Sequence, residues 1–345
     1  MKAWVLNDIG DVCLRDVSVP EPGEGWVRVH VKAAGICGSD IPRIYETGAH
    51  RMPLIPGHEF AGVVDKVGVG VPESLNGKRV AVFPKIPCKK CEFCKNGRPD
   101  LCHDYDYVGS RRDGAFAEYV LAPAENLMEL PDNVSMEAAA MIEPLAVAAN
   151  AVKTARREAA SRQTVAVCGM GTIGLMVVLF LKEAGFKDIY VIGNHEEQRN
   201  KAEMVGVVTE RFCNSSNEDP VVWLNDRAGG VDIYFECVGS NDSIRYGLAA
   251  GGPGALQVLV GNPKSDMAFS RDVYWQIPRN QMKLVGVWNC VFRDDWEYVL
   301  ERLALGSVDP SGLISHRLPM EELERGFLIM RDKTESYTKV MMVNE

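Results

Sequence analysis

Thr164-Val-Ala-Val-Cys168-Gly169-Met170-Gly171-Thr172-Ile173-Gly174 decides how the middle of this chain folds. The apolar run Thr164 to Cys168 has the character of a strand, and a helical pattern follows from Thr172 to Ala184. A strand that enters a helix through G-x-G-x-x-G has a use for each glycine. Gly169 allows the tight turn, Gly171 lets backbone approach a pyrophosphate, and Gly174 lets helix and strand pack closely. The helix start at Thr172 and Ile173 then turns its N–H groups and positive dipole end toward the phosphates. A purely structural glycine turn is the alternative, and the position between a strand and a helix favours dinucleotide binding.

Outward from this turn the pattern repeats. A strand at Asp188 to Ile192, a polar helix at Glu196 to Val205, and strands at Val231 to Glu236, Leu256 to Val260 and Lys283 to Val287 predict a parallel sheet with helices on both faces. At the end of the second strand, an acid that bonds the ribose 2′-OH is the usual mark of NAD. Here the chain reads Ile192-Gly193-Asn194-His195. With no carboxylate at Gly193 the main bar to a 2′-phosphate is gone, and Asn194, His195 and Arg199 can donate to one. Glu196 and Glu197 argue the other way, and the loop can also serve only to cap the next helix. The expected cofactor is NAD(P), with the missing acid pointing to NADP.

The first part of the chain is different: short β-type runs at Trp26 to Val31, Ala61 to Val67, Arg79 to Val82 and Phe116 to Leu121, broken by Gly and Pro. Helical stretches around Trp296 to Leu305 and Met320 to Arg331 precede a last strand, Thr338 to Val343, that can return to the first domain. The expected organisation is a mainly β domain over 1–147 and 289–345, with a small lobe at about 86–104, and a dinucleotide-binding domain over 148–288.

The chain has 345 residues, 46% of them hydrophobic and 25% charged, which is ordinary globular composition. A net charge of -9 argues against a nucleic-acid or anionic-membrane surface. The longest apolar run, Ile173 to Leu181, is too short to span a bilayer, and the opening MKAWVLND has no signal-peptide character, so a cytoplasmic location is expected.

Four of the ten cysteines form Cys88-x2-Cys91-x2-Cys94-x7-Cys102. Thiolates at this spacing can wrap one tetrahedral zinc, and the absence of an open ligand position makes its role structural. An iron–sulfur cluster, disulfides or free thiols are the alternatives. A second site is assembled from separated stretches: Cys37 in Gly35-Ile-Cys-Gly-Ser-Asp40, His58 in Pro56-Gly-His-Glu-Phe60, and Glu143 in Met141-Ile-Glu-Pro144. One thiolate, one imidazole and one carboxylate leave a fourth position open, as a catalytic zinc requires. Singly, such a cysteine or histidine is more often a packed or hydrogen-bonded structural residue.

Taken together, these motifs resemble the zinc-containing medium-chain dehydrogenase/reductase family, the alcohol and sorbitol dehydrogenases, over essentially the whole chain and in the family's order. Cys37-Gly-Ser-Asp40, Gly57-His-Glu59 and Ile142-Glu-Pro144 match its zinc-ligand motifs, the last in the polyol-dehydrogenase form. The resemblance implies an α/β protein with a GroES-like, mainly β catalytic domain and a Rossmann doubly wound domain. It implies two zinc ions, with Glu59 an exchangeable or outer ligand of the catalytic one, Ser39 in the proton path, and hydride transfer to NAD(P) from a polyol. Many members carry a histidine five residues past the cysteine ligand; here Pro42 stands there, so the relay runs from Ser39 through water or ribose hydroxyls, or uses another group such as His50.

Cys37 to Tyr45, Gly48-Ala-His50, Gly57 to Phe60 and Tyr107 to Tyr119 resemble the branch acting on phosphorylated polyols. Arg43, Arg111 and Arg112 are then the candidate phosphate ligands, against a solvated basic loop as the alternative. The expected partner is a small polyol or polyol phosphate, with no nucleic acid or membrane, and an exposed edge of the parallel sheet suggests a homodimer or homotetramer. The rival readings are an unphosphorylated polyol substrate of the sorbitol or threonine dehydrogenase type, a zinc-free reductase relative, and a non-catalytic nucleotide-binding scaffold.

Overall fold

A computed structural model describes residues 1–160, 164–263 and 265–344. Its contacts divide the chain into two units, Met1–Pro144 with Val291–Glu345, and Leu145–Cys290. The first unit carries β1 (Lys2–Asp8), β2 (Asp11–Asp16), β3 (Trp26–Gly35), β4 (Glu59–Val67), β5 (Arg79–Val82), β6 (Lys85–Ile86), β7 (Asp106–Tyr107), β8 (Tyr119–Pro123) and β9 (Leu127–Glu129). The second carries β10 (Thr164–Cys168), β11 (Asp188–Gly193), β12 (Phe212–Asn214), β13 (Val231–Glu236), β14 (Gly251–Leu259) and β15 (Lys283–Gly286); β16 (Ile314–Leu318) and β17 (Lys339–Val343) belong to the first again.

In the first unit a seven-stranded sheet runs β16-β17-β3-β4-β5-β9, with β8 also paired to β3. β3 shows why it forms: Val27, Val29 and Val31 point into the core, while Arg28, His30 and Lys32 alternate toward the other face. β17 pairs antiparallel with β3, setting Met341 opposite Gly35, so the end of the chain lies beside the turn that carries Cys37.

In the second unit six parallel strands run β12-β11-β10-β13-β14-β15. β10 is buried at Val165 through Cys168, as expected of a parallel strand covered on both faces. Successive strands leave β10 on one side to β11 and on the other to β13. The order therefore reverses there, which is where open α/β sheets bind ligands beyond the carboxyl ends of their strands.

The structure departs from the sequence expectation in places. The run Phe116 to Leu121 enters the ladder only at Tyr119: Phe116 is core, but its carbonyl accepts from the Trp4 N–H at 2.8 Å, outside the sheet. β14 starts at Gly251, five residues before the apolar run suggests, and β12 is a sixth strand too short to show a period. Among the described residues no helix is long and apolar enough to cross a membrane.

Candidate active site

Cys37 leaves β3 in a tight turn. Its N–H donates to Asp40 Oδ2 at 3.0 Å while its carbonyl accepts the Asp40 N–H at 3.0 Å, so the two residues fix each other. Ser39 Oγ lies 3.3 Å from Cys37 Sγ. His58 ends the turn that precedes β4; Gly57 there has φ +101, and a Cβ on it would stand 2.8 Å from the Phe116 ring. Glu59 begins β4 opposite Gly35, where a Cβ would come within 2.4 Å of Glu59 Oε2. Glycine at 35 thus makes the space in which the carboxylate sits.

The ligand atoms of Cys37, His58 and Glu59 all lie within 4.8 Å of one another, with His58 and Glu59 buried. Glu143 is not in that group. It sits at the start of the helix Ile142–Glu158, buried, with Oε1 accepting from the Tyr107 hydroxyl at 3.1 Å. Two residues absent from the sequence expectation complete the centre. Asp40, fully buried, faces His58 Nδ1 at 3.4 Å and binds the Arg43 guanidinium. Lys339, also buried, pairs with Glu59 and donates to the Ile36 carbonyl at 3.0 Å. Asp40 was legible as an acid three residues past the cysteine; Lys339 comes from the other end of the chain and carried no local signal.

The electrostatics are those of a site short of positive charge. Burial opposes charge on His58, yet Asp40 and Cys37 outweigh it and hold the imidazole pKa well above its ordinary value. Burial, with the Glu59 carboxylate beside it, pushes the Glu143 carboxyl up to about 7, against His58, Lys339 and Tyr107. Thiol, imidazole and carboxylate donors converging in a buried pocket fit a zinc ion, and an Asp behind the histidine is the usual outer partner that orients such a ligand.

In the lobe, the four cysteine sulfurs also lie within 4.8 Å of one another. All four are free thiols, and Cys88 Sγ and Cys94 Sγ are 4.0 Å apart, about twice a disulfide bond length. The Cys91 N–H donates to Cys88 Sγ and the Cys88 N–H to Cys102 Sγ, both at 3.3 Å. Backbone donors at Lys90 and Cys91 pull the Cys88 thiol down to about 6, while desolvation and its neighbours push Cys94 up to about 12. Four thiolates cannot share this volume without a cation, and the donor set fits zinc.

In the second unit Gly169 has φ +100, and a Cβ there would meet Val238 at 2.7 Å; one on Gly174 would meet the Gly169 carbonyl at 1.8 Å. A Cβ on Gly171 would meet nothing within 4 Å, leaving room for a ligand to approach the backbone. Gly171, which has no side chain to offer, is the N-cap of the helix Thr172–Glu183. This cradle fits a pyrophosphate. Its far rim is held by Glu236, also unanticipated: the buried carboxylate accepts from Val238 N–H at 2.7 Å, Gly239 N–H at 2.8 Å and Ser243 Oγ at 2.7 Å.

The loop after β11 explains its missing acid. A Cβ on Gly193 would stand 2.5 Å from Gln198 Oε1 and 2.9 Å from the Phe212 ring. Gln198, unanticipated, accepts from the N–H groups of Asn194 at 2.8 Å and His195 at 3.3 Å, and both residues are exposed. Arg199 is drawn back to Glu196, the Thr209 carbonyl and the Phe212 ring. The other arginines are engaged too. Arg111 donates to the Tyr105 carbonyl at 2.8 Å over its ring; Arg112 pairs with Asp106 and stacks on Trp26. Pro42 is half-buried beyond Asp40, and His50 is exposed.

Known proteins match the chain over nearly its whole length. Residues 23–132 match the alcohol dehydrogenase GroES-like domain and residues 136–340 the glucose dehydrogenase C-terminus. Galactitol 1-phosphate 5-dehydrogenase of Escherichia coli K12 is 32% identical over 323 residues, 92% of each chain. The crystal structure of galactitol-1-phosphate dehydrogenase from Escherichia coli superposes with a TM-score of 0.91 at 30% identity, covering 100% of both chains. An alcohol dehydrogenase from Escherichia coli CFT073 complexed with NADH superposes with a TM-score of 0.91 at 27% identity over 100% of this chain and 99% of that one. The chain belongs to the zinc-containing medium-chain dehydrogenase/reductase family, with a GroES-like domain and a Rossmann domain, and is an enzyme acting on the CH–OH group of alcohols or polyols with NAD(P). Within the family it resembles galactitol-1-phosphate dehydrogenase.

Proposed function

We propose that the enzyme transfers hydride between NAD(P) and a secondary hydroxyl of a polyol phosphate, with galactitol 1-phosphate and its keto-sugar phosphate as the first pair to test. The observation that carries the reading is the convergence of Cys37, His58 and Glu59, whose ligand atoms lie within 4.8 Å of one another. In this reading each chain holds two zinc ions: one among Cys88, Cys91, Cys94 and Cys102, the other served by Cys37, His58 and Glu143, with Glu59 exchangeable. Zinc at the second site supplies Lewis acidity to the substrate hydroxyl, and the nicotinamide supplies the hydride acceptor.

The chain's own residues do the rest. Asp40 sets the tautomer and orientation of His58. Lys339 sets a cation against the buried Glu59 side chain. Ser39 takes the proton from the substrate hydroxyl and passes it outward, since Pro42 offers no imidazole. Gly169, Gly171, Thr172, Ile173 and Gly174 cradle the pyrophosphate, and Gly193, Asn194, His195 and Arg199 form the adenosine side, where the missing acid favours NADP. Arg43, paired with Asp40 beside His58, and Arg111 are the candidate ligands of the substrate phosphate, whereas Arg112 stacks on Trp26 at the opposite end of β3 from the turn that carries Cys37.

That each of these arginines already has a partner favours a second reading, an unphosphorylated polyol. Among the described residues no strand lies beyond β15 at one edge of the sheet, and the exposed Trp288 follows it; both support a homodimer or homotetramer. The test is a panel of polyols with and without terminal phosphate, each assayed with NAD and NADP at 340 nm. A clear preference in kcat/KM for the phosphorylated member is expected; equal rates on both, or a preference for the free polyol, refute the phosphate reading.

A further inference from the structure

The four-cysteine lobe is inserted between two strands that pair with each other. β6 ends just before Cys88, β7 begins just after Cys102, and Lys85 lies opposite Tyr107, Ile86 opposite Asp106. Tyr107 therefore stands at the base of the lobe. Its carbonyl accepts N–H groups of Ser110, Arg111 and Arg112 at 3.3, 2.9 and 3.1 Å, which pins the backbone on the far side as well. From this fixed point the ring reaches into the other centre. It packs edge-on against His58 at 5.7 Å, and its hydroxyl donates to Glu143 Oε1 at 3.1 Å.

We propose that Tyr107 is a positioning residue that ties the four-cysteine lobe to Glu143, so that closure of the lobe sets where this carboxylate stands relative to Cys37 and His58. The proposal rests on the reading in which Glu143 serves the second metal. It gives the lobe a task beyond holding its own loop together: the strand pair at its base carries the hydroxyl that Glu143 leans on.

The experiment is Tyr107→Phe, which keeps the ring against His58 and Tyr105 and removes only the hydroxyl. Two readouts need no turnover: the rate at which zinc passes to a chromophoric chelator, and the visible spectrum of the cobalt-substituted protein. The expected result is slow, unchanged release from the lobe, release of the second zinc faster by on the order of 10- to 100-fold, and a shifted cobalt band. Glu143→Gln should give the same signature, and the double variant should be no worse than either single one. In Cys91→Ser, where the lobe is opened, the second zinc should also leave faster, and Glu143→Gln should abolish that effect. Wild-type release and spectrum in Tyr107→Phe, or additive losses in the double variant, overturn the proposal. A wild-type protein that binds zinc only in the lobe overturns the underlying reading of the site instead.

Discussion

In the lobe, four thiols within residues 88–102 gather their sulfurs near the surface, three of them half-exposed; in the second centre, Cys37, His58, Glu59 and Glu143 come from well-separated stretches of chain and three of them are buried. The lobe is closed by local backbone, with N–H donors from Cys88 and Cys91 on its own sulfurs. The other centre is closed by distant partners: Asp40 behind His58, Lys339 behind Glu59, Tyr107 behind Glu143. The difference teaches how similar donor chemistry could serve two ends. In the proposed reading, four thiols would saturate an ion and leave it nothing to do, whereas three protein donors of mixed type, held by residues outside the cluster, would leave a fourth position open for substrate.

The comparison can be broken most sharply at the ligands. Cys37→Ser should abolish turnover and release one zinc while the far-ultraviolet spectrum is unchanged, and a variant that keeps wild-type kcat/KM would break the contrast. Cys91→Ser should act first on stability. Structural zinc contributes directly to folding free energy, so a loss of several kcal/mol is expected, read as a Tm lower by on the order of 10 °C. Purified folded protein should keep more of its chemistry than Cys37→Ser does.

One step down, Asp40→Asn keeps the shape and removes the charge that His58 faces. Metal affinity or kcat/KM should fall by about 10- to 100-fold, measured by zinc competition and initial rates. An unchanged value would mean that His58 is held by packing alone.

A smaller effect concerns metal-free protein. Burial, with Glu59 beside it, pushes the Glu143 carboxyl from its ordinary 4.5 up to about 7 in the folded chain. A raised carboxyl pKa adds stability that is fully present below about 4.5 and is lost as pH rises through about 7. Metal-free protein should therefore lose several degrees of Tm between pH 5 and pH 8, by about 3 kcal/mol at most from this group. Glu143→Gln should flatten the profile, and an equal slope in both proteins would remove Glu143 as its source. The smallest effect expected is at Arg111, whose guanidinium is already shared with the Tyr105 carbonyl: Arg111→Ala should raise KM for a phosphorylated polyol and leave a free polyol, which offers no anion, nearly unchanged.

What was legible in the sequence follows the same divide. Cys88 to Cys102 needs no fold to be read, since its spacing is itself the loop, and the turn from Gly169 to Gly174 lies between its own strand and helix. Cys37, His58 and Glu143 were readable as ligand types in family motifs, yet the three ligand atoms that converge are those of Cys37, His58 and Glu59. Glu143 is drawn to Tyr107, and only the fold reveals that hydroxyl. Lys339 and Glu236 were illegible for the same reason: a buried charge announces itself through its partners, and these lie in other elements. Gly193 read as a missing acid; the structure adds that the Phe212 ring and Gln198 leave no room for a side chain there.

The most direct test is anomalous diffraction at the zinc edge from crystals of the full chain grown with NAD(P). Two peaks per chain are predicted, one enclosed by the four cysteine sulfurs and one bounded by Cys37 Sγ, the His58 imidazole and a carboxylate of Glu59 or Glu143. A single peak in the lobe, or a second ion away from Cys37 and His58, would contradict the account.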